Sequence, residues 1–288
     1  MKKKFIVGLV VLFSCVFALA ACGGDDGGDV VDAGSSDVIV EEVAEEEEDV
    51  TTAAVGDAYG IYKAAMESLI AADGYEYDIT IESAYGADGA EGSSTMSGHV
   101  IQNDPTGNVE MKMEITTEAS GMTLDMTSYY KDGYQYTEMM GMKIKTAMDQ
   151  EEMQSSMGKL PDFNDDAITD QSVTEAGGAT TVSFVISGEA AQAYIDEALE
   201  GIEGAEDVEV DLGGASNGIK ITATVDSSGN LTELIQEQTS TTGGIESTSL
   251  TKMSNIKIGK VAFDFPSDLD AYQEADLDNL SGLEVDTE

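Results

Sequence analysis

Between Asn108 and Lys145 the chain alternates apolar and polar residues so regularly that an antiparallel meander is the fold it fits. Val109, Met111, Met113 and Ile115 alternate with Glu110, Lys112, Glu114 and Thr116, which gives an extended strand one face for a core and one for water. Ser120-Gly121 turns the chain, and Met122, Leu124 and Met126 then alternate with Thr123, Asp125 and Thr127. Lys131-Asp132-Gly133 turns it again into a third strand carrying Tyr134, Tyr136, Met140, Met142 and Ile144. Short turns of this kind need positive φ, which Gly and Asp tolerate.

The N-terminus has a different logic. Lys2, Lys3 and Lys4 precede an apolar run from Phe5 to Ala18 that is short for a membrane span, the pattern of a signal peptide over residues 1–21. The run ends in Leu19-Ala20-Ala21-Cys22, which resembles the lipobox of bacterial lipoproteins. That resemblance implies cleavage before Cys22 and a lipid on its sulfur; the alternative is a secreted protein with an incidental Cys22. Several acyl chains on one cysteine hold far more firmly than a single myristoyl group, since each buried CH₂ adds about 0.8 kcal/mol. On that resemblance Cys15 would leave with the leader and Cys22 would be blocked by lipid, leaving no thiol for a disulfide or a nucleophile.

Composition narrows the partners. Acidic residues number 57 against 13 lysines and no arginine, for a net charge of −44. Three of those lysines sit in the leader. A field of that sign repels phosphate backbones and anionic headgroups, which excludes nucleic acid as a partner and leaves solubility as the simplest role for the charge. Gly23 to Thr52 contains no lysine and few large apolar groups, so residues 22–56 are expected to form a disordered acidic tether. A calcium-binding tail is the alternative there, but nothing fixes its carboxylates in a coordination geometry.

From Asp57, a candidate N-cap, the chain reads as one α+β domain to residue 266. Ala58, Ile61, Tyr62, Ala65, Met66 and Leu69 make an apolar helical stripe that Asp73-Gly74 stops. Tyr75, Tyr77, Ile79 and Ile81 start a strand, a Gly-rich loop from Gly86 to Ser93 follows, and Thr95 to Gln102 is the next strand. Thr146 to Met157 is expected to be a short helix with Thr146 at its start, and Lys159 to Gly178 a polar linker. Ala179 to Ile186 is a strand, and Ser187 caps a second helix whose stripe is Ala191, Tyr194, Ile195, Ala198, Leu199 and Ile202. Val208 to Leu212, Ile219 to Val225, Leu231 to Thr241 and Ile245 to Met253 read as strands, with a hairpin turn at Asp226 to Asn230. Residues 267–288 form an acidic tail that is expected to fray beyond Asp268.

The lipobox, the tether, the helix from Asp57 and the meander together resemble envelope lipoproteins with the LolA/LolB-like fold. Ser187-Gly188-Glu189-Ala190-Ala191 and Asp226-Ser227-Ser228-Gly229-Asn230 are similar to the second half of uncharacterised lipoproteins of Gram-positive type, as is the ending from Asn255-Ile256-Lys257 to Phe265-Pro266. The resemblance implies a large curved antiparallel sheet, an unclosed barrel, covered on its concave face by two or three helices. It also implies a cavity for acyl chains, and it carries no catalytic residues with it. The absence of Trp and Arg is a departure from carriers that depend on basic and aromatic positions.

Eleven of the 14 methionines lie between Met96 and Met157. Unbranched, polarizable thioethers adapt to guests of varied shape, so Met111, Met113, Met122, Leu124, Met126, Met140 and Met142 are candidate lining for an apolar cavity. The plainer reading makes them core. Copper(I) at Met139, Met140 and Met142 is a third, opposed by an alternation that puts Met139 on the other face. His99 is the single histidine, on a strand face opposite Met96 and Val100, and reads as a surface residue. Asp276-Leu277-Asp278-Asn279 fails as a calcium loop, with Leu280 and Ser281 where a ligand and a glycine belong. No phosphate loop, Gly-x-Ser-x-Gly elbow or His-Glu-x-x-His occurs. The expectation is a non-enzyme without cofactor or metal, whose partners are the membrane through its anchor and a lipid or other hydrophobic ligand, with any protein partner unnamed. The alternative is an acidic interaction or structural module with a solid core.

Overall fold

Period-two patterning dominates this chain, and the computed structural model is accordingly built on one sheet. It describes residues 51–52, 57–87, 90–105, 107–148, 150, 163–193, 218–242 and 245–274. The signal peptide, Cys22 and nearly all of the tether lie outside these residues, as do the expected strand at Val208 to Leu212 and the calcium-like string at Asp276. Among the described residues no helix is long and apolar enough to cross a membrane.

The strands are β1 (Thr51–Thr52), β2 (Gly74–Ala87), β3 (Ala90–Asn103), β4 (Glu110–Ala119), β5 (Met122–Lys131), β6 (Tyr134–Met139) and β7 (Met142–Ala147). They continue with β8 (Ile168–Ala176), β9 (Ala179–Ile186), β10 (Ile219–Val225), β11 (Leu231–Thr242), β12 (Ile245–Ile258) and β13 (Gln273–Glu274). All thirteen join one open sheet in the order β1-β8-β9-β10-β11-β12-β2-β3-β4-β5-β6-β7-β13. Every pairing is antiparallel except that of β13 with β7. The fold is the large unclosed antiparallel sheet that the sequence leads one to expect.

Helix α1 (Ala58–Ile70) forms where its stripe predicts, and the Asp57 carboxylate caps it by accepting from the Gly60 N–H at 2.7 Å. It lies on β8 to β11. Ala58, Ala65 and Leu69 are buried there, and Tyr59 and Tyr62 set their rings 5.6 and 5.4 Å from that of Phe184. The sheet face under α1 is the inner face. Residues 188–193 begin the second helix; Ser187 Oγ accepts from the Ala190 N–H, and Ala191 is buried in the same core. The remainder of its expected stripe lies outside the described residues.

Five readings of the chain up to Ile258 need correction. The expected loop at Gly86 to Ser93 is mostly strand: β2 and β3 stay paired up to Ala87 and Ala90, and Gly92 lies opposite Tyr85. A Cβ on Gly92 would come within 2.3 Å of the Tyr85 ring, so this glycine makes room for an aromatic cross-strand neighbour. The expected linker contains β8, whose alternation is broken by a bulge between Thr169 and Ser172 with Asp170 at φ 51°, leaving only Ile168 and Val173 buried. Thr146 is a strand residue in β7, and most of the helix expected to follow it lies outside the described residues. The last long strand runs past Met253 to Ile258 across a bulge at Ser254 to Lys257. The supposed third strand of the meander is a hairpin, β6 and β7, because Met140 at φ 51° and Gly141 at φ 77° form a two-residue turn.

Residues beyond Ile258 cross the outer face of the sheet. Phe263 and Phe265 pack together, Phe265 meets Tyr129, and Tyr272, which is buried, meets Tyr136 edge-on at 5.4 Å. Lys131 sits 4.5 Å from the Phe265 ring centre, and Lys143 donates to Asp268 at 2.7 Å. The stretch as far as Glu274 is therefore a strap that ends as β13, against an expectation of fraying beyond Asp268.

Candidate functional site

Cross-strand partners share a face, so the register sets out the inner surface row by row. One row runs Val182, Ala223, Leu234, Met253, Ile79, Gly98, Ile115, Met126, Met139 and Met142. A second runs Phe184, Ile221, Gln236, Thr251, Ile81, Met96, Thr117 and Leu124. Both begin under α1; the first ends in Met126, Met139 and Met142, and the second passes Met96 to end at Leu124. Gly98 tightens the first row, since a Cβ there would stand 2.7 Å from the Glu114 carbonyl oxygen and 3.2 Å from Ile115 Cγ1.

The seven candidate lining residues do not share one environment. Met113 is buried in the main core, and Met111 in a smaller cluster with Val109, Tyr130 and Met148. Met126 is partly buried against the main core. Leu124 and Met142 are more exposed, at 37% and 38%, and Met122 and Met140 stand out in water at 72% and 77%. The turns beside Met122 and Met140 lie at the same end of the meander, so these four make an apolar rim at the end of the thioether rows. The Met140-Gly141 turn also resets the alternation: Met139 pairs with Met142 on the inner face, and Tyr134 and Tyr136 fall on the outer one. Met139 therefore belongs with the lining and was missed, because a methionine in a turn gives no turn signal.

Two neighbours in the second row were not singled out from the sequence either. Gln236 is 4% exposed and Thr251 3%, and Gln236 Nε2 and Thr251 Oγ1 have no hydrogen-bond partner. Other buried polar side chains are satisfied: the Tyr75 hydroxyl donates to Gln102 Oε1 at 2.6 Å, and Gln135 Nε2 donates to Ser128 Oγ at 2.9 Å. A long polar side chain in a Thr-rich strand looks like a solvated one, so its burial is not legible in the string.

On the outer face His99 is bracketed by carboxylates. Its Nδ1 is 2.6 Å from Asp78 Oδ1 and its Nε2 is 3.6 Å from Glu76 Oε2. Asn255 donates to the other Asp78 oxygen, and that bond first, then His99, holds the Asp78 carboxyl below its ordinary range. Lys257 donates to Glu76 at 2.6 Å. His99, Asp78, Glu76, Asn255 and Lys257 thus form one polar network across the outer sheet face, with both ring nitrogens of His99 facing carboxylates. Among the described residues no His, Cys, Asp or Glu group is arranged to hold a metal.

An open antiparallel sheet with α1 and the start of a second helix packed on its inner face is the kind of architecture that the resemblance implies. No family profile matches the chain, and no curated protein matches it. Among solved structures it is similar to LprF from Mycobacterium bovis, at 12% identity over 73% of this chain and 97% of that one, with a TM-score of 0.39. It is also similar to the LolA superfamily protein NE2245 from Nitrosomonas europaea, at 14% identity over 71% and 94% of the two chains, with a TM-score of 0.27. A DUF1329 family protein from Desulfovibrio piger is 9% identical over 72% and 94%, with a TM-score of 0.27. The fold rests on the strand order and pairing described above.

Proposed function

We propose that this protein is an envelope lipoprotein, anchored through lipid on Cys22, that binds or carries a lipid or other hydrophobic ligand between its sheet and helices without catalysing a reaction. The leader over 1–21, the tether over 22–56 and the domain from residue 57 to 266 with its acidic tail divide those tasks, while Thr51–Thr52 of the tether and Gln273–Glu274 of the tail join the two borders of the sheet. The observation that carries the reading is the unequal dressing of the inner face. Under α1 the rows are packed by Phe184, Val182 and Ala223, all buried; away from it they pass to Met96, Met126 and Met139 and open into the exposed rim. Flexible thioethers and an apolar rim suit a guest that enters from one end.

The full chain, purified and extracted into organic solvent, is expected to release a co-purifying lipid in near-stoichiometric amount by mass spectrometry. A chain that is consistently empty and also fails to bind a fluorescent fatty acid would leave the solid-core interaction module, which the burial of Met111, Met113 and Ile115 favours. Cys22→Ser is expected to move the protein from the membrane fraction to the soluble one, and retention with the membranes would overturn the anchor.

A further inference from the structure

The geometry points to Gln236 and Thr251 as a polar anchor in the inner face that hydrogen-bonds the carbonyl oxygen of an acyl ester or fatty acid, whose hydrocarbon lies along the methionine rows. This rests on the lipid-holding reading and names the chemical class of its ligand. The two residues face one another across β11 and β12. Their row neighbours are Ile221 and Ile81, and Leu234 and Met253 pair in the adjoining row, so the anchor is a polar spot in an apolar field. An amide N–H and a hydroxyl both donate, and one acceptor oxygen with two lone pairs satisfies both. Burying such donors without an acceptor is unfavourable, and the neighbouring sheet avoids it: Tyr75 with Gln102 and Gln135 with Ser128 close their own bonds. Gln236 and Thr251 stand directly opposite, as Tyr75 and Gln102 do, yet leave Nε2 and Oγ1 without a partner. A pure hydrocarbon would leave them so, and an anionic headgroup would meet neither lysine nor arginine in either inner-face row. An acyl carbonyl satisfies the pair and extends its chain toward Met96, Met126 and the rim.

The test uses the full chain and two probes delivered from cyclodextrin, methyl hexadecanoate labelled with ¹³C at its carbonyl and the hydrocarbon heptadecane. The wild type is expected to take up both, with the labelled carbonyl stretch shifted to lower frequency than in hexane. In the double variant Gln236→Leu with Thr251→Val the shift is expected to vanish and the ester to bind roughly tenfold more weakly, with heptadecane held as before. The variant should also melt no lower than the wild type, since apolar isosteres remove two unpaired buried groups. A lower melting temperature would show that water or protein already satisfies the pair, and overturn the proposal. So would a carbonyl shift that survives in the variant, or equal weakening of both probes. Uptake of both probes by the wild type with no carbonyl shift sinks the anchor alone, whereas uptake of neither sinks the carrier reading beneath it.

Discussion

Met140 holds a φ of 51° and is 77% exposed, so it occupies a left-handed position without burying its side chain. The equivalent places in the other two-residue turns of the meander go to Ser120 and Asp132, at φ 51° and 52°. Asparagine tolerates that conformation better than methionine, so Met140→Asn is expected to stabilise the protein by about 0.5–1 kcal/mol in urea unfolding. A methionine kept there at a cost to stability is in keeping with a rim that meets an apolar molecule. Asp78 illustrates a second residue-scale effect. Its carboxyl titrates below the usual range because Asn255 and His99 hydrogen-bond the charged form. That stability is present above the unfolded pKa of about 4 and is lost as pH falls through the lower folded value. Asn255→Ala is therefore expected to lower the urea midpoint at pH 7, and the gap from wild type should narrow at pH 2.

The C-terminal strap is the element that sequence patterning conveyed least. Its aromatics are spaced irregularly, and one of their partners, Tyr136, sits on a face that an uninterrupted alternation from Tyr134 to Ile144 would have turned inward. Burial raises the Tyr272 phenol pKa, and the hydrogen bond to the Glu138 carboxylate adds to this. Tyr272→Ala should destabilise by about 3 kcal/mol through the cavity it leaves against Tyr136, and should promote association through the uncovered edge of β7, read by calorimetry and light scattering. Where one period ran without interruption, as in α1, β4 and β10, the element was legible in the string. Where a bulge or a turn shifted the phase, as at Asp170, Met140 and Asn255, it was not, because positive φ at a residue other than glycine leaves no mark in composition. The candidate site divided in the same way. Met111 and Met113 were readable as inward-facing, whereas Met139, Gln236 and Thr251 depended on register.

At the scale of the whole molecule, a net charge of −44 must be carried on one open sheet and its appendages. Self-repulsion of that size is relieved by screening, so raising NaCl from low concentration to 0.5 M is expected to raise Tm by roughly 5 °C, monitored by circular dichroism. A flat or falling Tm would mean that local pairs such as Lys257 with Glu76 and Lys220 with Glu237 outweigh the general field. The described chain begins at one border of the sheet, with Thr51 and Thr52 paired to Glu175 and Thr174, and ends at the other, with Gln273 and Glu274 on β7. A pull arriving along the backbone from the N-terminal side would bear first on those two marginal rungs and not on the rows beneath α1. They form a mechanical fuse: a tug from that side would peel a single short hem and leave the sheet beneath α1 undisturbed.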